Sequence, residues 1–288
     1  MDGSLAASVS TTPAAILAVL CAVAAGVGVV AWMRPETRWL GRLGDGLGIV
    51  CFVSSVALWV ERWIEAGHLP LFGTYESALS LVVAVLAGGL VARSRPSGPA
   101  GIWPVACAAA AVLLAHGLSF DPTVYALTIS ERSWVVDVHA VLAWAAFGAL
   151  VVNVALAARR LATRGDNTAP VDRALAFSLS IGFLLHTAMM VSGSFYKFLL
   201  FGTAWSFDPI ETLGFVVWVS YGTLLHMHLF ARWEGRRLAW WCVALFLLLV
   251  VSYRGIVYFP AWSTYHIFDM DLRMHVTPSD SATAGGRS

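Results

Sequence analysis

The groups in this chain best suited to hold a transition metal are its histidines: His68, His116, His139, His186, His226, His228, His266 and His275. Neutral imidazole is a common axial ligand of haem iron, and the sequence shows no competing redox or phosphate-binding motif. Thiol chemistry has no sequence support. Cys21, Cys51, Cys107 and Cys242 are far apart in the chain and form no CxxC pair, which argues against dithiol exchange, a structural zinc and covalent haem attachment to this chain. The densest chemical signal is the segment 192–228. There Phe195, Tyr196, Phe198, Phe201, Trp205 and Phe207 precede Asp208-Pro209-Ile210-Glu211-Thr212. Asp208 suits a helix N-cap, Pro209 the first helical position, and Glu211 the glutamate of a capping box. Two readings stay open: an aromatic interface belt followed by a well-started helix, or a flat aromatic platform that accepts a planar hydrophobic ligand.

Helices must position these groups inside a membrane. Hydrophobic residues make up 59% of the 288, charged residues only 12%, and the mean hydropathy is +0.75; a soluble domain carries about twice that charged share. At about 20 apolar residues per span, the composition supports eight spans and leaves little for a soluble module. Polar, Pro and Gly breaks mark them at 14–33, 45–63, 77–92, 101–118, 134–158, 173–193, 211–231 and 238–257. The predicted fold is an all-α integral membrane protein, one polytopic domain over 1–276 with a disordered tail at 277–288. The start Met-Asp-Gly-Ser lacks a basic n-region, so the first segment reads as a permanent span. A net charge of +1, from 18 basic and 17 acidic residues, gives no basis for nucleic-acid binding.

Arginine placement orients the spans, because short cytoplasmic loops accumulate Lys and Arg. Loops after the odd-numbered spans hold Arg34, Arg38, Arg42, Arg93, Arg95, Arg159, Arg160, Arg164, Arg173, Arg232, Arg236 and Arg237, whereas those after spans two, four and six hold only Arg62, Arg132 and Lys197. Both termini are therefore expected outside. On that topology His68, His116, His139, His266 and His275 lie toward the outside, His186 lies mid-span, and His226 and His228 lie near the inner end of span seven. A single histidine near a helix end is more often a snorkelling or hydrogen-bonding residue than a ligand. Met189 and Met190 read as packing residues.

The segment 195–228 resembles the tryptophan-rich WWD motif of the CcsA/ResC-type cytochrome c assembly proteins. The motif reads here as Phe201, Gly202, Trp205, Phe207, Asp208, Glu211, Thr212 and Leu213, then Trp218 and, eight residues on, His226. Gly182-Phe183 and Ser192-Gly193 keep the same register, Tyr75-Glu76-Ser77 resembles the family's Y-E-S segment, and His139 its outer histidine. His266, in Pro260-Ala-Trp-Ser-Thr-Tyr-His, falls two residues late for the second outer histidine. This chain departs from the motif in Phe201 and Phe207 for tryptophan, Ile210 for lysine and Leu213 for tryptophan. Phenylalanine loses the indole N–H, and isoleucine removes a cation able to pair with a haem propionate.

The resemblance implies a b-type, non-covalent haem on the outer side, ligated by His139 and His266. Trp205, Phe201 and Phe207 would lie against the macrocycle beside Gly202. Asp208 would orient the loop, and His226 would serve an inner haem station. It further implies a ResB/CcsB-type membrane partner, a thiol-reducing thioredoxin-like protein and apocytochrome c as acceptor. The chain would then be part of a haem-lyase complex rather than a stand-alone enzyme. Two other readings of the residues remain, a b-type electron-transfer anchor and a non-transporting haem-binding assembly or regulatory subunit. His228 has no counterpart in the motif and points about 200° away from His226 on a helix of 3.6 residues per turn.

Overall fold

The computed structural model describes residues 10–34, 36–94, 102–124, 127, 131–163 and 168–258, the last six by backbone alone. Among the described residues there are eight α-helices and no strands: α1 (Thr12–Met33), α2 (Arg38–Ala66), α3 (Thr74–Ser94), α4 (Ile102–Gly117), α5 (Trp134–Ala162), α6 (Ala169–Phe201), α7 (Pro209–Ala231) and α8 (Gly235–Tyr258). Seven are long and apolar enough to cross a membrane, which makes the chain a multi-pass all-α membrane protein. The exception is α4. Its 16 residues reach about 24 Å, short of a hydrocarbon core of about 30 Å. Neighbours compensate for the short length, since α4 packs against both α1 and α3 and buries Trp103, Ala106, Cys107, Ala110 and Leu114. The tail 277–288 lies outside the described residues.

Helix ends follow local signals. Proline stands in the first turn of α1, α6 and α7, where its missing N–H costs nothing. One end differs from the sequence expectation. α6 does not stop near 193 but runs to Phe201, because no breaker intervenes before Gly202. The aromatic residues 195–201, expected in a loop, therefore form its last two turns.

Small residues set how closely the helices approach. A Cβ on Gly148 of α5 would lie 2.8 Å from the backbone of Ala84 in α3, and one on Gly182 of α6 would lie 2.5 Å from Leu150 of α5. Apolar helices in lipid gain little by hydrophobicity alone, so such backbone proximity supplies the van der Waals contact. α5 thereby becomes the inner helix, touching α3, α4, α6 and α8. Asn153 of α5, fully buried, donates through Nδ2 to the Leu175 carbonyl and to Ser178 Oγ, both 3.0 Å away on α6. Three cysteines distant in sequence also share the buried core: Cys51 of α2, Cys21 of α1 and Cys107 of α4.

A buried ionic knot fixes one end of the bundle. Arg62 of α2 donates to Glu76 of α3 and to the Pro122 carbonyl, reaches Glu65 Oε2 at 2.9 Å, and lies over the Tyr75 ring. Ser80 Oγ donates to the Pro70 carbonyl (2.6 Å) and accepts from Trp59 Nε1 (2.8 Å). The 68–73 connection is held in this way, and its Leu71 and Phe72 pack on Val136 and Ala140 in the first turns of α5. His139 stands between those two packing positions.

Candidate functional site

At the turn from α6 to α7 the backbone changes direction through Gly202, which ends α6 with φ 71° and donates its N–H to the Phe198 carbonyl at 3.0 Å. A side chain would strain that left-handed conformation, which accounts for glycine in the motif. Thr203 Oγ1 donates to the Trp205 carbonyl (2.8 Å), closing a small turn. Asp208 is the N-cap of α7, its Oδ1 accepting the Ile210 N–H at 2.9 Å. Glu211 departs from the capping-box expectation. Its Oε2 accepts the Ser206 N–H at 2.9 Å, two residues ahead of the cap, while Oε1 takes an ion pair from Lys197 of α6. Lys197 also donates to Ser206 Oγ. Both charged side chains are largely buried, 8% and 11% exposed, so this pair clamps the 202–208 loop between the two helices.

Above the clamp Phe207 is 80% exposed with φ 60°, and Phe201 is half-exposed on the last turn of α6. From them a row of rings descends into the membrane. Trp205 meets Phe207 edge-on with centroids 6.3 Å apart, then Phe215 at 6.0 Å; Phe215 stacks on Trp218 at 5.8 Å, and Trp218 on Phe183 of α6 at 5.8 Å. Trp218 Nε1 donates to Thr187 Oγ1 at 2.8 Å, which satisfies the indole inside the bilayer. His186, 2% exposed, sits beside this row, its Nε2 at 3.2 Å from the Gly214 carbonyl.

The predicted iron ligands occupy different surroundings. His139 Nδ1 lies 2.9 Å from the Met189 carbonyl of α6. That bond makes Nδ1 the protonated nitrogen and puts the lone pair on Nε2, the arrangement in which ligating imidazoles are held. Its ring covers Gly193, where a Cβ would come within 2.7 Å of Cε1 and 2.8 Å of Nδ1. His139 and the aromatic row touch different flanks of α6. At 3.6 residues per turn the Met189/Gly193 flank and the Phe183/Thr187 flank are about 120° apart. His226 is exposed on α7, its ring 4.5 Å from Phe230. His228 turns to the other side, with Nδ1 at 3.0 Å from the Trp233 carbonyl. His266 and His275 lie outside the described residues.

The sequence profile described as Cytochrome C assembly protein matches residues 71–261. This chain belongs to that family. The cytochrome c biogenesis protein CcsA of Synechococcus sp. (strain RCC307) is 30% identical over 246 residues, 71% of this chain and 77% of that protein. The CcsA of Prochlorococcus marinus (strain MIT 9515) is 26% identical over 238 residues, 68% and 75% of the two chains. Among solved structures, the cytochrome c haem lyase CcmF superposes with a TM-score of 0.66 at 18% identity, over 91% of this chain. The chain spans about half, 49%, of the CcmF chain, and the likeness is one of fold.

In this cytochrome c assembly protein several site residues carry no obvious mark in the sequence. Lys197 looked like a loop charge because α6 seemed to end before it, yet it brings to the loop a cation that Ile210 does not. Gly193 makes room for His139, and the Ser192-Gly193 pair was its only trace. Thr187 and Phe183 complete the Trp218 contacts at helical spacing, but only the antiparallel alignment of α6 with α7 reveals it. Arg62, counted as an Arg-poor loop's stray charge, anchors Glu76 of the Tyr-Glu-Ser segment.

Proposed function

We propose that this cytochrome c assembly protein binds haem as its cargo, moves it across the bacterial cytoplasmic membrane and presents it on the outer face for attachment to apocytochrome c. The observation that carries the reading is His139, with Nδ1 on the Met189 carbonyl and its ring against Gly193. A backbone acceptor on one nitrogen and a glycine beneath the ring fix the tautomer and orientation that an iron ligand needs. On another flank of α6, Trp205, Phe207 and Phe201 offer an aromatic surface that suits a planar apolar macrocycle; they are held at the α6–α7 turn, and Gly202 and Asp208 fix its two ends. Haem would supply the vinyl groups to which apocytochrome thiols add.

Each residue has a separate task. His139 would offer Nε2 to the iron, with His266 as the second outer ligand. The aromatic row keeps water from the apolar face, and the Lys197–Glu211 clamp holds the loop's shape. His226 stands exposed on α7 as the inner station, and a ResB/CcsB-type membrane partner would cover it and offer the opposite axial position. A thioredoxin-like thiol reductant would keep the acceptor's cysteines reduced. The orientation, with the α6–α7 turn and both termini outside, rests on the arginine bias of the loops. His186 donates through Nε2 to the Gly214 carbonyl of the neighbouring helix.

The deciding experiment is purification without added haem, followed by an absorption spectrum and a pyridine haemochrome assay on the wild type and His139→Ala. A Soret band in the wild type that falls or shifts in the variant, and that free imidazole partly restores, is expected. Equal haem content and identical spectra would remove His139 from the site.

A further inference from the structure

The arginine-rich ends of α5, α6 and α8 contain a guanidinium whose hydrogen-bonding needs the chain does not meet. Nε and Nη1 of Arg159 are both buried and have no hydrogen-bond partner. Several acceptors among the described residues at these helix ends are already taken. Asp172 accepts from Arg160 Nε at 2.7 Å through Oδ1 and from Thr168 Oγ1 at 2.9 Å through Oδ2. The Leu161 carbonyl accepts from Arg236 Nη1 at 2.7 Å. The carbonyl of Arg159 itself receives both the Thr163 N–H and Thr163 Oγ1, each at 2.9 Å. Arg237 lies over the Trp233 ring, 3.6 Å from its centroid. Arg160, Arg236 and Arg237 thus each have an acceptor or a ring, and Nε and Nη1 of Arg159 have neither.

Depth indicates what could fill the gap. α5 has 29 residues, about 43 Å of helix against a hydrocarbon core of about 30 Å. Its last turn, which carries Arg159, therefore projects to headgroup level. Buried guanidinium nitrogens are rarely left without an acceptor, because the group cannot lose its proton, and its planar fork matches phosphate oxygens. Basic pockets between membrane helices are suited to anionic headgroups.

We propose that Arg159 is the anchor of a phosphate-binding site at the arginine-rich end of α5, occupied by the phosphodiester of an anionic phospholipid. Arg160 ties the α5 end to α6 through Asp172, and Arg236 ties it to the start of α8 through the Leu161 carbonyl. Gly235, which begins α8 with φ 58°, lets Arg160 lie close to it: a Cβ there would lie 3.0 Å from Arg160 Nη2. This site is independent of the haem reading, since it involves neither His139 nor the α6–α7 turn.

The test uses the full chain, purified in a neutral detergent and stripped of lipid, and titrated with phosphatidylglycerol, phosphatidylcholine or inorganic phosphate. Retained lipid is counted by native mass spectrometry, and the melting temperature is followed by tryptophan fluorescence. Phosphatidylglycerol is expected to remain bound and to raise the melting temperature, with at least about tenfold weaker binding in Arg159→Gln and an intermediate loss in Arg159→Lys. Arg173→Gln, which changes an exposed arginine, should bind as the wild type does. Without lipid, Arg159→Gln should be no less stable than the wild type, because it removes an unpartnered cation rather than a bond. A response to inorganic phosphate alone, lost in Arg159→Gln, would support the anion site while making free phosphate its source. Equal phosphatidylglycerol retention by Arg159→Gln and wild type would overturn the proposal, as would equal binding of phosphatidylcholine and phosphatidylglycerol, or no response to any of the three.

Discussion

Two side-chain contacts decide what the α6–α7 turn can hold, and both can be broken one atom group at a time. Lys197 and Glu211 are paired where little water reaches. Removing one partner leaves a buried charge alone, which costs about 3 kcal/mol or more, whereas replacing both by apolar residues of similar size costs far less. Lys197→Met and Glu211→Gln should each lower the melting temperature of the purified protein, and the double variant should recover most of the loss; additive losses would show that the two act separately. Gly193→Ala tests the second contact. The added methyl would lie 2.7 Å from His139 Cε1, and since helical alanine is itself favourable, the stability change should be small while haem content or Soret position changes. An unaltered spectrum would mean that the imidazole is not held by this surface.

Among the elements, α7 depends most on how it starts. Asp208 accepts the Ile210 N–H, and the glycine that ends α6 lies six residues earlier in the chain. Loss of an N-cap costs about 1 kcal/mol, and forcing a side chain into the φ 71° conformation of Gly202 costs about as much. Asp208→Ala and Gly202→Ala should therefore destabilise by similar amounts in chemical or thermal denaturation. They should differ in one respect: Gly202→Ala meets nothing within 4 Å, so its effect must come from backbone strain, and Gly202→Asn should cost less than Gly202→Ala because asparagine tolerates the left-handed region better. At the far side of the bundle, Arg62 and Glu76 join α2 to α3 in the same way that Lys197 and Glu211 join α6 to α7. Glu76→Gln should loosen the 68–73 connection, and faster hydrogen exchange of the first turn of α5, where Val136 and Ala140 pack on it, would reveal this.

For the whole molecule the claims are topological and directional. Cysteine substitutions at Phe207 and Arg160, in a chain whose own four cysteines are replaced, should label from opposite sides of the membrane. Labelling of both from one side would end the presentation model. His226 and Glu211 are 15 residues apart on one helix, about 22 Å, so on the proposed orientation α7 would connect the level of the outer platform to the inner half of the membrane. In cells, His226→Ala is expected to lower haem arriving at the outer site, while the purified variant reconstituted from outside should fill it normally. Normal occupancy in cells would leave haem binding without transport through this residue.

Composition, span number to within the short α4, the arginine bias and the Asp208-Pro209 start of α7 are all properties of neighbouring residues, and the sequence alone determined them. Helix length and apolarity are sums over a window, and an N-cap involves groups two or three residues apart, so no knowledge of partners is needed. The tertiary structure decided what joins the helices. Glu211 lies 14 residues from Lys197, Trp218 lies 31 from Thr187, and His139 lies 50 from the Met189 carbonyl. Cys51 shares the buried core with Cys21 and Cys107 across three helices. Such pairings depend on how each helix is rotated about its axis and how far it slides past its neighbour. In a chain that is apolar on nearly every face, the hydrophobic pattern fixes neither. Close glycine contacts such as Gly148 on the Ala84 backbone and Gly182 on the Leu150 side chain constrain both, because a side chain at either position would push the helices apart.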